Sequence, residues 1–224
     1  MLPISIFGLM LTYSYISERD IDLILVEELN CSLNFQKWFL NRIKKSVRNA
    51  KWSGISKIKA FHSTSRGMSS SGETDVEIHV TDRADSKIIL LIENKIDASF
   101  QDNQPGRYKL EVEKIMQDGS AEHCYSVLLA PEDYLTSVQG VDLFDIAISY
   151  DEIIEYFNSS AKTLSKPNLE LFQRYEHRKE MLIQAVEKQH RGYVPETDKA
   201  VTEFWAAYYE YAKENAPSLK LDCP

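Results

Sequence analysis

Residues 72–108 run GETDVEIHVTDRADSKIILLIENKIDASFQDNQPGRY and read as two strands, a tight connection and a helix. Residues 73–80 alternate: Val76, Ile78 and Val80 take one face, and Asp75, Glu77 and His79 the other. Residues 88–95, IILLIENK, are a second run rich in branched side chains. The polar turn between them centres near Ala84. A hairpin about that point sets Asp75 opposite Glu93, because the two are equidistant from it. Side chains directly across an antiparallel pair have Cβ atoms about 4.5–5.5 Å apart. Lys95, two residues beyond Glu93, projects from the same face, as do the apolar Ile89 and Leu91. Two carboxylates that close repel each other unless a cation lies between them. Ligands that are all oxygen suit a hard ion such as Mg²⁺.

An Asp followed, eighteen residues on, by Glu-x-Lys at the end of an apolar strand resembles the PD-(D/E)xK nuclease superfamily. The likeness extends beyond those three residues. IENK followed by Gln104 and Tyr108 resembles the IENK…QxxxY pattern of one bacterial branch. So do Glu28 and Ser32 with Trp-Phe-Leu at 38–40, and Ile148-Ser149-Tyr150 where a late strand meets a helix. The resemblance covers residues 15–160. The chain departs from the pattern in reading Glu-Thr-Asp where a Pro precedes the Asp, and in having Pro105 where an apolar residue is usual. The resemblance implies a restriction-endonuclease-like α/β fold, a central mixed sheet flanked by helices in the order αβββαβ. It implies Asp75, Glu93 and the main-chain carbonyl of Asn94 as ligands of Mg²⁺ or Mn²⁺, and Lys95 acting on the attacking water and the phosphate. It also implies Glu28 holding a second ion or a water, Gln104 touching that water or the phosphate, and Tyr108 ordering its neighbours on the nucleic-acid side.

On the N-terminal side, Ser17-Glu18-Arg19-Asp20 has the form of a capping box opening a helix that ends near Leu29. Ser32 can cap a second helix reaching to about Asn49. On it Phe35, Trp38, Phe39, Ile43 and Val47 make one apolar stripe, with Lys37, Lys44, Lys45 and Arg48 off the stripe. Glu28 sits at the junction of the two helices, and Glu27 competes with it for the same role. Residues 55–62 alternate as a first strand, and the small residues of 63–72 predict a mobile loop.

On the C-terminal side, Pro105 suits a first helical turn, and Gln104 and Tyr108, four apart, share one helical face. Residues 123–130 are a fourth strand, 131–142 a loop, 143–149 a fifth strand and 151–158 a short helix. The strand-helix-strand passage from 88 to 130 predicts two parallel strands joined by a crossover. After Ser159 comes a polar linker, then a charged amphipathic helix over 168–190, then another helix starting at Thr197 or Asp198 with Phe204, Trp205, Tyr208, Tyr209 and Tyr211. The expected organisation is a core over 1–160 and a helical extension over 161–224 that packs on the core or leads to a further domain. The aromatic helix would pack internally, form a homo-oligomer face or dock a partner protein or further domain, and in the last case the native chain would continue past residue 224.

At 224 residues the chain can bury a full core. The formal charge of −8 argues against a generic nucleic-acid binder, but nine Lys and Arg and no acid fall within residues 37–66. Such a locally basic face can contact phosphates whatever the total charge. Cys31, Cys124 and Cys223 have no paired spacing, so a disulfide framework or zinc site is not expected and a reducing, cytoplasmic location is. Residues 1–12 are apolar but lack a basic lead and are too short to span a bilayer, which predicts a buried N-terminal element and no membrane partner. The five histidines show no ligand pattern, and GxxxxGK[ST] is absent. The expected activity is metal-dependent hydrolysis of nucleic acid, DNA before RNA, with a role in bacterial defence, restriction or repair. The rival is a catalytically silent binding module on the same fold.

Overall fold

The computed structural model describes residues 16–47, 52–65, 73–164, 168–191 and 199–215. The expected N-terminal element over 1–12, Arg48, Cys223 and most of the loop expected over 63–72 lie outside them; residues 63–65 are still strand.

Two helices open the described chain. In α1 (Glu18–Cys31) the Ser17 N–H and hydroxyl both donate to the Asp20 carboxylate, at 2.8 and 2.6 Å, so the capping box forms. Ser32 caps α2 (Leu33–Ser46) by accepting from the Phe35 N–H at 3.3 Å. Three strands follow: β1 (Ile55–Ser65), β2 (Glu73–Asp82) and β3 (Lys87–Asn94), each antiparallel to the one before. Helix α3 (Gln104–Gln117) leads to β4 (His123–Ala130), which lies parallel to β3 as the crossover pattern predicts. Strand β5 (Ile146–Ser149) is parallel to β4, and the sheet order is β1-β2-β3-β4-β5. The fold is the mixed sheet flanked by helices that the sequence leads one to expect.

The hairpin between β2 and β3 is held by Asp82. Its Oδ1 accepts from the N–H groups of Ala84 and Ser86, at 2.8 and 2.9 Å, and its Oδ2 from the N–H of Ser53, at 2.8 Å. An aspartate that satisfies successive turn amides fixes where the chain reverses. The two faces of the sheet then sort by parity. Val76, Ile78, Ile88, Leu90 and Ile92 join Leu25, Leu29, Phe35 and Phe39 of α1 and α2 in one buried cluster. Ile89 and Leu91 join Tyr108, Val112 and Ile115 of α3 in another. Strand β3 is therefore buried on both faces, which is why it reads as a continuous apolar run rather than an alternating one.

One stretch differs from expectation. The segment 131–142 is not an open loop: it holds α4 (Glu132–Ser137) and a 3₁₀ turn at Val141–Leu143, and β5 begins at Ile146. Glu132 and Asp133 favour the start of α4. Tyr134 anchors it by burying its ring and donating its hydroxyl to Ala98 O at 2.8 Å. After α5 (Tyr150–Lys162), the long α6 (Leu169–Arg191) falls almost wholly within the same compact unit as the sheet, which runs to His190. The second unit, Arg191–Pro224, contains α7 (Lys199–Asn215), on which Phe204, Trp205, Tyr208 and Tyr211 are exposed.

Phe35 is 1% exposed and stacks on Phe39 and Phe157, with ring centroids 6.0 and 5.8 Å away. Phe35→Ala should cost about 3–5 kcal/mol of stability in urea unfolding, the usual range for emptying an aromatic site in a packed core.

Candidate active site

In the β2–β3 ladder Val76 faces Ile92 and Glu77 faces Leu91. One residue further, the same register sets Asp75 opposite Glu93. The Asp75 Oδ2 accepts from the Asn94 N–H at 2.8 Å, across the end of the ladder. Glu93 is 1% exposed. Its Oε1 accepts from Lys95 Nζ at 2.8 Å and from Gln104 Nε2 at 2.6 Å. Its Oε2 is buried with no hydrogen-bond partner. The Gln101 N–H donates to Gln104 Oε1 at 3.1 Å and so orients the amide toward Glu93. Sheet, turn and helix start thus bring Asp75, Glu93, Asn94, Lys95 and Gln104 together.

The electrostatics follow from that crowding. Burial, and then Glu93, push the Asp75 carboxyl up to about 7, against the opposing pull of the Asn94 N–H and Lys95. Burial works against a charged Lys95, but the Glu93 carboxylate outweighs it and holds the ammonium above its ordinary value. Lys95 is therefore a cation in the resting site.

Helix α1 contributes two acids that the sequence reading passed over, Glu18 and Asp22. Asn94 Nδ2 donates to Asp22 Oδ1 at 2.8 Å and to Glu18 O at 2.9 Å, and Asn94 Oδ1 accepts from the Tyr150 hydroxyl at 2.6 Å. The Ile96 N–H donates to Glu18 Oε1 at 3.0 Å. Burial, and then Asp75, raise Asp22 to about 8. The available signal was the spacing: Glu18 and Asp22, four apart, share one face of α1. Nothing in the sequence said that this face meets the end of β3.

Glu28 is placed elsewhere. It lies six residues past Asp22, about 9 Å further along the helix and about two-thirds of a turn round. Its buried carboxylate accepts from Arg174 at 2.7 Å and lies 3.0 Å from Arg178, both on α6. Glu27 pairs with Arg178 at 2.8 Å. Neither glutamate stands with Asp75 and Glu93 in the way Glu18 and Asp22 do. Tyr108 is also not a nucleic-acid contact: it is 3% exposed, and its hydroxyl donates to Ile92 O at 3.3 Å, beneath Glu93. The apolar stripe of α2 packs Phe35, Phe39 and Ile43 into the cluster on the opposite face of the sheet from Leu91 and Tyr108. Lys37, Lys44 and Lys45 are exposed on that layer, and Lys44 Nζ donates to Trp52 O at 3.0 Å. His79 is joined to Glu77.

Among the described residues no group of three or more His, Cys, Asp or Glu is disposed as a metal site. The donor set that does form is smaller: Asp75 and Glu93, with the Asn94 main chain between them. The orphaned, buried Oε2 of Glu93 fits a hard cation, because a buried carboxylate oxygen without a donor otherwise costs free energy. Cys31 is exposed, Cys124 is buried and neither forms a disulfide among the described residues; no described helix is long and apolar enough to cross a membrane.

The family model for the PD-(D/E)XK nuclease superfamily matches residues 34–183, more than half of the chain and the span that carries Asp75, Glu93, Lys95 and Gln104. No curated protein and no solved structure matches it.

Two stability measurements check this arrangement. Glu28→Ala leaves two guanidinium groups facing an emptied site, and removing one partner of a buried ion pair typically costs about 3–5 kcal/mol; urea unfolding should show a loss of that size. In EDTA the folded protein binds more protons than the unfolded chain between the ordinary aspartate value of 3.8 and the raised values of about 7 and 8. Stability must therefore fall as pH rises through that window. Asp75→Asn should flatten the fall and raise the melting temperature at pH 8, by about 2–4 °C for each kcal/mol recovered. A melting temperature that climbs with pH across this range would contradict the crowding.

Proposed function

The chain belongs to the PD-(D/E)XK nuclease superfamily, and from that premise we propose that it is a metal-dependent nuclease hydrolysing phosphodiester bonds of nucleic acid, with DNA as the substrate. The observation that carries the reading is the buried Glu93 carboxylate, held on one oxygen by Lys95 and Gln104 and left without a hydrogen-bond partner on the other. In this reading Asp75 and Glu93, with the Asn94 carbonyl, hold Mg²⁺ or Mn²⁺. When bound, such an ion neutralises phosphate charge and makes water a stronger nucleophile.

The chain's own residues do the rest. Lys95, kept protonated by Glu93, donates to the water or the phosphate and offsets the negative charge that develops there. A protonated amine does not accept a proton, so orientation and charge are its roles rather than general base. Gln104 fixes one oxygen of Glu93 so that the other stays aimed. Asp22, rather than Glu28, is the acid of α1 joined to this strand end: through Asn94 it positions the end of β3, and hence the N–H that holds Asp75. No covalent enzyme intermediate is needed. Cysteines that form no disulfide among the described residues suit a reducing cytoplasm.

Nicking of supercoiled plasmid should require Mg²⁺ or Mn²⁺ and fail in Ca²⁺, whose looser and longer coordination suits a tight site poorly. Full cleavage in EDTA would sink the reading. Lys95→Ala should lower turnover, on the order of 10²-fold or more, with metal affinity unchanged or improved. Glu93→Gln should lower metal affinity and be partly rescued by excess Mn²⁺. Calorimetric Mn²⁺ titration beside the cleavage assay separates the two; binding of DNA without any cleavage would favour the silent binding module.

A further inference from the structure

The face of the sheet that carries Asp75 and Glu93 does not end at them. Along β2, Glu77, His79 and Thr81 continue the same face, each opposite one residue of β1: Phe61, Lys59 and Lys57. On the other side they face Leu91, Ile89 and Lys87 of β3. All of these but the fully buried Leu91 floor an open groove of about 630 Å³, walled on one side by the C-terminal half of α3. At about 3.3 Å per residue, the groove begins about 7 Å from Asp75, at Glu77, and reaches Thr81 about 20 Å away.

Its floor cations stand at the levels of His79 and Thr81, away from Asp75. Lys57, Lys59, Lys87 and Lys114 all border it and all are exposed. Its acids are placed differently: Glu77 is buried and tied to His79, while Glu111 and Asp118 stand on the α3 wall. The floor also carries an aromatic step. Phe61 and His79 meet edge to face with centroids 5.1 Å apart, and Lys59 Nζ lies 5.0 Å from the centre of the Phe61 ring. The His79 side chain is 49% exposed, so an aromatic surface remains open to the groove.

We infer that this groove binds a single-stranded segment of the nucleic acid that leads to the Asp75–Glu93 site, its phosphates on Lys57, Lys59 and Lys87 and a base against His79. The inference rests on the nuclease reading and moves its substrate surface. The basic stretch of residues 37–66 divides at the sheet: its α2 half lies on the layer across from Glu93, whereas its β1 half lies on the face of Glu93 itself. A lysine track with an open aromatic ring is the combination by which single strands are held without sequence preference, and a duplex keeps its bases out of such a ring's reach.

The test is fluorescence anisotropy of a labelled oligothymidylate and of a labelled duplex, in EDTA across a salt series. Lys57→Ala/Lys59→Ala/Lys87→Ala should weaken binding of the single strand on the order of tenfold or more and reduce its salt slope by about 2, since each neutralised phosphate contributes about 0.7. Circular dichroism should show the fold intact. The triple Arg variant, which keeps the charges, should bind as wild type does. His79→Ala should weaken the single strand alone. A triple Ala variant that binds the single strand like wild type overturns the groove, as does a loss confined to the duplex or a larger loss in Lys44→Ala/Lys45→Ala. If wild type cleaves plasmid while any of these holds, only the groove fails. If wild type neither binds nor cleaves, the nuclease reading fails with it.

Discussion

The antiparallel register of β2 on β3 is the constraint on which the rest depends. A slip of one residue would turn every side chain of one strand to the other face. Asp75 and Glu93 would then face opposite layers, and Val76, Ile78 and Ile92 would no longer share one core. Asp82 guards against this by holding the turn amides of Ala84 and Ser86 with one oxygen and the Ser53 N–H with the other. The apolar pattern and the turn chemistry select the same register, so the site follows from packing that the fold requires in any case.

What that register assembles is electrostatically unfavourable by itself. Two unit charges 4 Å apart interact by about 4 kcal/mol at an effective dielectric of 20. Asp22, Asp75 and Glu93 all bear on one another, with Lys95 as the cation paired to Glu93. Burial first, and this repulsion second, raise both Asp75 and Asp22, and their proton uptake relieves the crowding in the absence of an ion. The scaffold absorbs the strain through buried apolar contacts on both sides of β3. A site that costs stability and is held by a rigid sheet is the pattern expected where function, not folding, chose the residues.

A second buried charge cluster does the opposite work. Glu28 with Arg174 and Arg178 links α1 to α6, over more than a hundred intervening residues. It ties to the sheet unit a helix that composition alone would assign to an extension. The family match, which continues to residue 183, runs through most of that helix.

Local pattern determined a good deal by itself. The alternation of 73–80, the turn near Ala84 and the apolar run ending in Glu-x-Lys were enough to read the hairpin, its register and the meeting of Asp75, Glu93 and Lys95. Gln104 was legible only through the resemblance to the IENK…QxxxY pattern; spacing by itself said no more than that it shares a helical face with Tyr108. These features depend on neighbours close in the chain or on one antiparallel pairing. Only the tertiary structure decided which acid of α1 faces the site, because Glu18, Asp22 and Glu28 differ in helical phase and the phase means nothing until the helix docks. It alone decided that Tyr108 is buried, and that the lysines of α2 and of β1 lie on opposite faces of one sheet. Sequence shows that charges are adjacent along the chain; a sheet one residue thick then separates them, because side-chain direction is set by which face packs and not by nearness in sequence.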